Sequence, residues 1–149
     1  MNNELVGRVF PPTPPYLVGR EKVREFARAV FADAPLHTDV EAAQALGYAD
    51  VVAPPTFAMV IQDLTLQQLL AEPDSGIVLA RTIHAEQKFA YSKPIVAGDT
   101  LTGQLSVTGI RMMAGNAMIT SEADITDADG AHVVTATSVL LVGSDEEAA

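Results

Sequence analysis

A chain of 149 residues, 48% hydrophobic and 19% charged, has the length and composition of one globular domain. Its 19 acidic and 9 basic side chains give a formal net charge of −10, which argues against nucleic acid or an anionic membrane surface as a partner. With no cysteine, disulfides, thiolate catalysis and Cys-held metals are excluded, and with no leader-like or membrane-spanning apolar run the protein is expected to be cytoplasmic.

In chain order, Pro11, Pro12, Pro14 and Pro15 impose an extended, polyproline-like entry, expected to lie as a stiff leader across the domain surface. Val23, Phe26, Ala27 and Val30 then recur at helical spacing among Arg20, Glu21, Arg24, Glu25 and Arg28, which predicts an amphipathic helix of about three turns. A loop follows over Asp33–His37, because the residue before Pro35 is pushed out of helical geometry. Thr38 and Glu41 read as a capping box opening a short helix that Gly47 ends. From Thr56 to Leu70 the chain is almost continuously apolar, predicting a buried helix with Thr56 available as its cap.

The second half changes period. Ile77–Tyr91, Thr100–Arg111, Asn116–Asp127 and His132–Val142 are rich in Val, Ile and Thr and read as strands, with Asp129-Gly130 as a hairpin turn. Gly98-Asp99 and Ala114-Gly115 punctuate the others. Ser144–Ala149 is acidic and small, and is expected to be a disordered tail. The economical packing of these elements is α+β: a curved antiparallel sheet wrapped around the long buried helix, in a single domain over residues 1–149. Every Lys and Arg lies at or before Arg111, so an anionic ligand must be received by the first two thirds of the chain.

Several segments agree, in order, with one known family. Phe31-Ala32-Asp33-Ala34-Pro35-Leu36-His37, Thr38-Asp39, Gly47-Tyr48 and Val52-Ala53-Pro54-Pro55-Thr56-Phe57 resemble the hydratase motif of MaoC-like proteins. Gln87-Lys88-Phe89, Lys93-Pro94-Ile95 and Gly98-Asp99-Thr100-Leu101 resemble that family's mid-sheet signature. The run from Val18-Gly19-Arg20-Glu21-Lys22 onward is most similar to the FAS1-like dehydratase branch, which includes the small subunits of (3R)-hydroxyacyl-ACP dehydratases. The resemblance covers about residues 5–142. It implies a hot-dog fold and the addition or removal of water across the α,β-bond of an acyl thioester carried on acyl-carrier protein or coenzyme A. It also implies a homodimer, or a heterodimer with a MaoC-like subunit, and neither metal nor cofactor.

The family's active segment reads G-D-x-N-P-hydrophobic-H, and aligning on Pro35-Leu36-His37 gives His37 the histidine's role. The aspartate position then falls on Ala32, and Asp33 sits one residue late. Three completions stay open: Asp33 swings in, a partner subunit supplies an intact Asp/His pair, or another residue of this chain completes the site. The family polarises the thioester carbonyl with N–H groups at the start of the central helix. Here Pro54 and Pro55 have no N–H to give, which leaves Thr56 as the substrate-binding candidate.

Other residues read more plainly. His84 shares an alternation with Glu86 and Lys88 and is expected to face the same way; His84 and His132 both read as ordinary sheet residues. Three scattered histidines and no cysteine argue against zinc. Met112-Met113 reads as edge-strand packing rather than a tunnel lining, and Lys22, Arg24, Lys88 and Lys93 are the basic candidates for a pantetheine phosphate. Two rival functions remain: a non-catalytic subunit that binds the acyl chain beside a catalytic partner, and a hot-dog thioesterase, for which Asp63 is the only acid on the central helix.

Overall fold

In the computed structural model, which describes residues 1–143, the first helix, α1 (Arg20–Ala29), forms on the predicted apolar stripe. It buries Val23 and Ala27, half-buries Phe26 and leaves Val30 exposed as its C-cap. The second, α2 (Val40–Ala45), starts one residue later than the Thr38–Glu41 box implies. Asp39 is the N-cap, its carboxylate accepting the Glu41 and Ala42 N–H groups at 2.9 and 3.3 Å. Thr38 instead gives its carbonyl to Arg24 Nε at 2.8 Å. Gly47 ends the helix at φ +92°, a conformation that costs glycine no Cβ clash.

The third helix, α3 (Ala58–Leu70), follows a 3-10 turn over Pro55–Phe57. It buries Ala58, Ile61, Gln62, Thr65, Leu66 and Leu69. It is the buried helix expected, except along one strip where Asp63 and Gln67 are exposed and Gln67 Nε2 donates to Asp63 Oδ2 at 2.8 Å. Thr56 does not cap the helix, since no side-chain capping bond is made there.

The strands are β1 (Tyr16–Leu17), β2 (Thr82–Tyr91), β3 (Thr100–Met113), β4 (Asn116–Thr126) and β5 (His132–Val142). They form one antiparallel sheet in the order β1-β3-β4-β5-β2. The stretch read as the start of β2 is a 3-10 turn over Leu79–Arg81. Ala114 and Gly115, at φ +49° and +82°, close the β3–β4 hairpin between the paired Met113 and Asn116. A register shift between His84 and Glu86 corrects the expected alternation: His84 opposes Leu140 and its Nε2 lies 3.0 Å from Gln87 Oε1, on the face opposite Glu86 and Lys88.

The proline-rich leader is bonded along the edge of β3. Gly7 N–H donates to the Val107 carbonyl, Phe10 N–H to Leu105 and Thr13 N–H to Gly103, each at 2.8 Å. Pro11 and Pro12 fall between Phe10 and Thr13, and Pro14 and Pro15 between Thr13 and Val18, also a donor, so the missing N–H groups cost none of these bonds. That edge is therefore covered, which leaves β2 as the open edge of the sheet.

The sheet curls around α3, with β3 making the closest approach. A Cβ on Gly103 would lie 2.8 Å from Thr65 Cγ2 and 3.1 Å from Ile61 Cγ2, so only glycine lets the helix sit this near the strand. Gly103→Ala is expected to destabilise the fold by about 1–3 kcal/mol, the usual range for overpacking. Thermal unfolding of the variant should show a fall in Tm of several degrees, and an unchanged Tm would contradict this packing. A curved antiparallel sheet around one central helix is the hot-dog arrangement, as expected. Among the described residues no helix is long and apolar enough to cross a membrane. The expected tail, Ser144–Ala149, lies outside the described residues.

Candidate active site

Two loops and the end of β2 meet at the start of α3. The α1 helix is held to the first loop by the Arg24–Thr38 bond and to the second by Arg20, whose Nε and Nη2 donate to the two Asp50 oxygens at 3.0 and 2.5 Å. The Arg20 hydrogen bond holds the Asp50 carboxyl below its usual range. Asp50 Oδ1 also accepts the Val51 N–H at 2.7 Å, so the ion pair sets where the Val51–Ala53 segment begins.

That segment is pinned from both sides. Val52 N–H donates to the Leu36 carbonyl at 2.9 Å, while Ala53 N–H donates to Ile95 at 2.8 Å and Ala97 N–H to Val51 at 3.0 Å. His37 closes the pattern, its Nδ1 lying 2.6 Å from the Val52 carbonyl. A carbonyl only accepts, so Nδ1 carries the proton and neutral His37 has its lone pair on Nε2. His37 is half-buried, in a 3-10 turn over Pro35–His37.

His37 lines a cleft of about 520 Å³, a volume suited to a small ligand. Leu36, Tyr48, Val52, Ala53 and Pro55 contribute its apolar surface, and Tyr91 to Ile95 the remainder. The Tyr91 hydroxyl donates to the Pro55 carbonyl at 2.5 Å. Burial pushes this phenol up to about 12, against the pull of the Ala58 backbone N–H, so the group stays protonated throughout the physiological range.

Of His37, Asp33 and Thr56, His37 lines this cleft and the other two do not. Asp33 is exposed and outside the lining, as is Thr56, although the neighbouring Pro55 lines the cleft. The Thr56 amide precedes the first bond of the turn, from Phe57 N–H to the Pro54 carbonyl at 2.9 Å. Phe31 falls where the family motif has glycine, and it keeps that geometry at φ +57° while 91% exposed. Ala32 N–H then bonds the Ala27 carbonyl at 2.8 Å, ending α1 and directing Asp33 outward.

Of the four basic candidates only Lys93 lines the cleft, and it is paired with Asp127. Lys22 pairs with Glu25, Arg24 with Glu21 and Lys88 with Glu86. Met112 and Met113 are exposed at the hairpin end of β3. Asp63 does not reach the cleft. Tyr91 and Ser92, which do, were not singled out in the sequence; their one signal was adjacency to the Lys93-Pro94-Ile95 motif.

A family model described as "FAS1-like, dehydratase domain region" matches residues 4–136. The chain belongs to this FAS1-like dehydratase family. A UPF0336 protein of Clavibacter michiganensis subsp. michiganensis is 59% identical over 146 residues, covering 98% of each chain. Another, of Streptomyces avermitilis, is 46% identical over 99% of this chain and 98% of its own. Among solved structures, the C-terminally truncated HadBC (3R-hydroxyacyl-ACP dehydratase) complex of Mycobacterium tuberculosis has a chain with TM-score 0.83 and 33% identity, covering 92% of this chain and 96% of that one. A MaoC-like dehydratase superposes with TM-score 0.85 and 38% identity over 95% of this chain, which corresponds to 43% of that larger one. The chain is thus a member of a hydratase and dehydratase family of the fatty-acid type.

Proposed function

We propose that this chain interconverts (3R)-hydroxyacyl and trans-2-enoyl thioesters, carried on acyl-carrier protein or coenzyme A, as one subunit of a homodimer or of a heterodimer with a MaoC-like partner. The observation that carries the reading is His37. Its Nδ1 is committed to the Val52 carbonyl at 2.6 Å, and Nε2 is the nitrogen left for proton transfer in an apolar cleft. His37 takes the α-proton during dehydration and, as imidazolium, returns it to Cα during hydration. The Thr56 N–H, ahead of α3, is the donor nearest in sequence for the thioester oxygen where charge develops. The open β2 edge supports assembly with a second hot-dog subunit, and one structural relative is itself a complex.

One observation favours a second reading, the acyl-binding subunit. Ala32 occupies the family's aspartate position and Asp33 does not line the cleft, so an intact Asp/His pair would come from the partner. Both readings share a test. Purified protein, alone and with a co-expressed MaoC-like partner, is assayed for loss of enoyl absorbance in the presence of chelator, and the product's configuration is determined. The expected result is (3R)-hydroxyacyl product, at a rate the chelator leaves unchanged. Release of free thiol, or dependence on added metal, would overturn the proposal.

A further inference from the structure

We infer that Ser92, which lines this cleft, and His132, bonded to it from outside the lining, form a second proton-handling pair acting at the hydroxyl end of the substrate in place of the carboxylate missing at Ala32. The inference rests on the hydratase reading above. Ser92 lines the cleft together with His37. Its backbone is fixed against the start of β5, where Ser92 and Lys93 N–H both donate to the Val133 carbonyl, at 2.8 and 3.4 Å. This sets Ser92 Oγ 2.5 Å from His132 Nδ1. His132 Nε2 lies 2.8 Å from Thr135 Oγ1, which lies 2.7 Å from Asp124 Oδ1 on β4.

A strand would ordinarily separate His132 and Thr135, because residues three apart point to opposite faces. A register shift places Ile125 opposite Val134 but Thr126 opposite His132, leaving Val133 as the extra residue. Val133 and Val134 are both fully buried, and His132 and Thr135 come to the outer face together. The bulge is what assembles the chain of groups from Ser92 to Asp124.

The proton positions in that chain follow from what each group can do. An ionised Asp124 only accepts, so Thr135 donates to it. The Thr135 oxygen therefore takes the His132 Nε2–H. His132 Nδ1 is then the bare nitrogen and accepts the Ser92 O–H. Ser92 turns its remaining lone pairs away from His132 and carries a hydroxyl proton already aimed at a base, which is the arrangement of an activated hydroxyl. The other charged groups at this corner are Lys93 and Asp127, which are paired with each other, and Asp99 and Asp129, whose charges also act on Lys93.

In hydration a water oxygen forms its bond to Cβ, and the electron pair of the double bond moves to Cα and takes the proton held on His37. The proton lost by the water passes to Ser92 Oγ as Ser92 gives its own to His132 Nδ1. His37 ends neutral and His132 ends as imidazolium, and exchange with solvent resets both, His132 being exposed. Dehydration runs the same transfers backwards.

Steady-state kinetics on the assembled protein tests this. Ser92→Ala and His132→Gln should each lower kcat about 10²-fold with KM within about twofold, the scale of one lost acid–base group. The double variant should fall no further than either single one, because the two act as a unit. Ser92→Thr, which keeps the hydroxyl, should retain activity. Both positions are exposed, so folding is not at stake. Single variants within about threefold of the parent, in a protein that His37→Ala inactivates, would overturn the inference and leave the hydratase reading standing. If the parent hydrates nothing, that reading fails instead, and the pair is judged by binding. Titration with a saturated acyl-pantetheine thioester should then shift the His132 ring nitrogen resonances in the parent and not in Ser92→Ala. Unmoved resonances would overturn it.

Discussion

Replacing His37 by alanine is expected to lower turnover on an enoyl thioester by about 10²–10⁴-fold while leaving the fold intact, the usual loss for one acid–base group. The lost hydrogen bond to the Val52 carbonyl, 2.6 Å long in the parent, is worth about 1 kcal/mol, and Val52 keeps its N–H bond to Leu36. Thermal unfolding should therefore change little, and the kinetic loss reports chemistry. His37→Asn is the control. Its side-chain amide can donate to Val52 from close to the position of Nδ1, but it has no basic nitrogen, so stability should recover and turnover should not. If both variants instead stay within a few-fold of the parent in the reconstituted complex, the Asp/His pair belongs to the partner and this chain binds the acyl group. Ala32→Asp then completes the comparison: a rise in activity of the chain alone would reveal a dormant site.

What could be read from the residues, and what could not, divides along local and non-local physics. The α1 stripe, the Gly47 stop and the Ala114-Gly115 turn follow from spacing and backbone preference, and each forms where expected. His37 was found by its motif, and the structure gives that motif a geometric content, a side chain bonded back to the segment 15 residues on. The three β-bulges were not legible. No residue pattern announces that Val133 is the extra residue, yet that bulge decides which way His132 faces, and the shift beside Glu86 does the same for His84. The prolines predict only a stiff leader; the donors at every third residue, Gly7, Phe10 and Thr13, become visible only once β3 lies beside them. Asp33 was the nearest carboxylate in sequence to the expected position, but the left-handed turn at Phe31 sets its direction, and sequence distance does not encode that.

The same turn supplies the contrast for the largest expected effect on stability. Two phenylalanines flank the site in sequence, and they differ in every physical respect. Phe31 is 91% exposed and held at φ +57°, where a bulky side chain is strained, so Phe31→Gly should leave stability unchanged or raise it. Phe57 is fully buried at the start of α3 and meets Phe26 of α1 edge to face, with ring centroids 5.3 Å apart and planes at 75°. It is the wedge between the first helix and the central one, and it shares a 3-10 turn with Pro55, which lines the cleft. Phe57→Ala should cost about 3–5 kcal/mol, combining lost burial with a cavity that fixed elements on both sides cannot close. For a domain of this size each kcal/mol is worth about 2–4 °C, so the expected fall in Tm is roughly 6–20 °C. Because Phe57 ends the turn that holds the cleft residue Pro55, KM for the acyl thioester should rise even at temperatures where the variant is fully folded. A fall in Tm under about 2 °C, with KM unmoved, would mean that Phe57 is not the contact that joins α1 to the core and the core to the site.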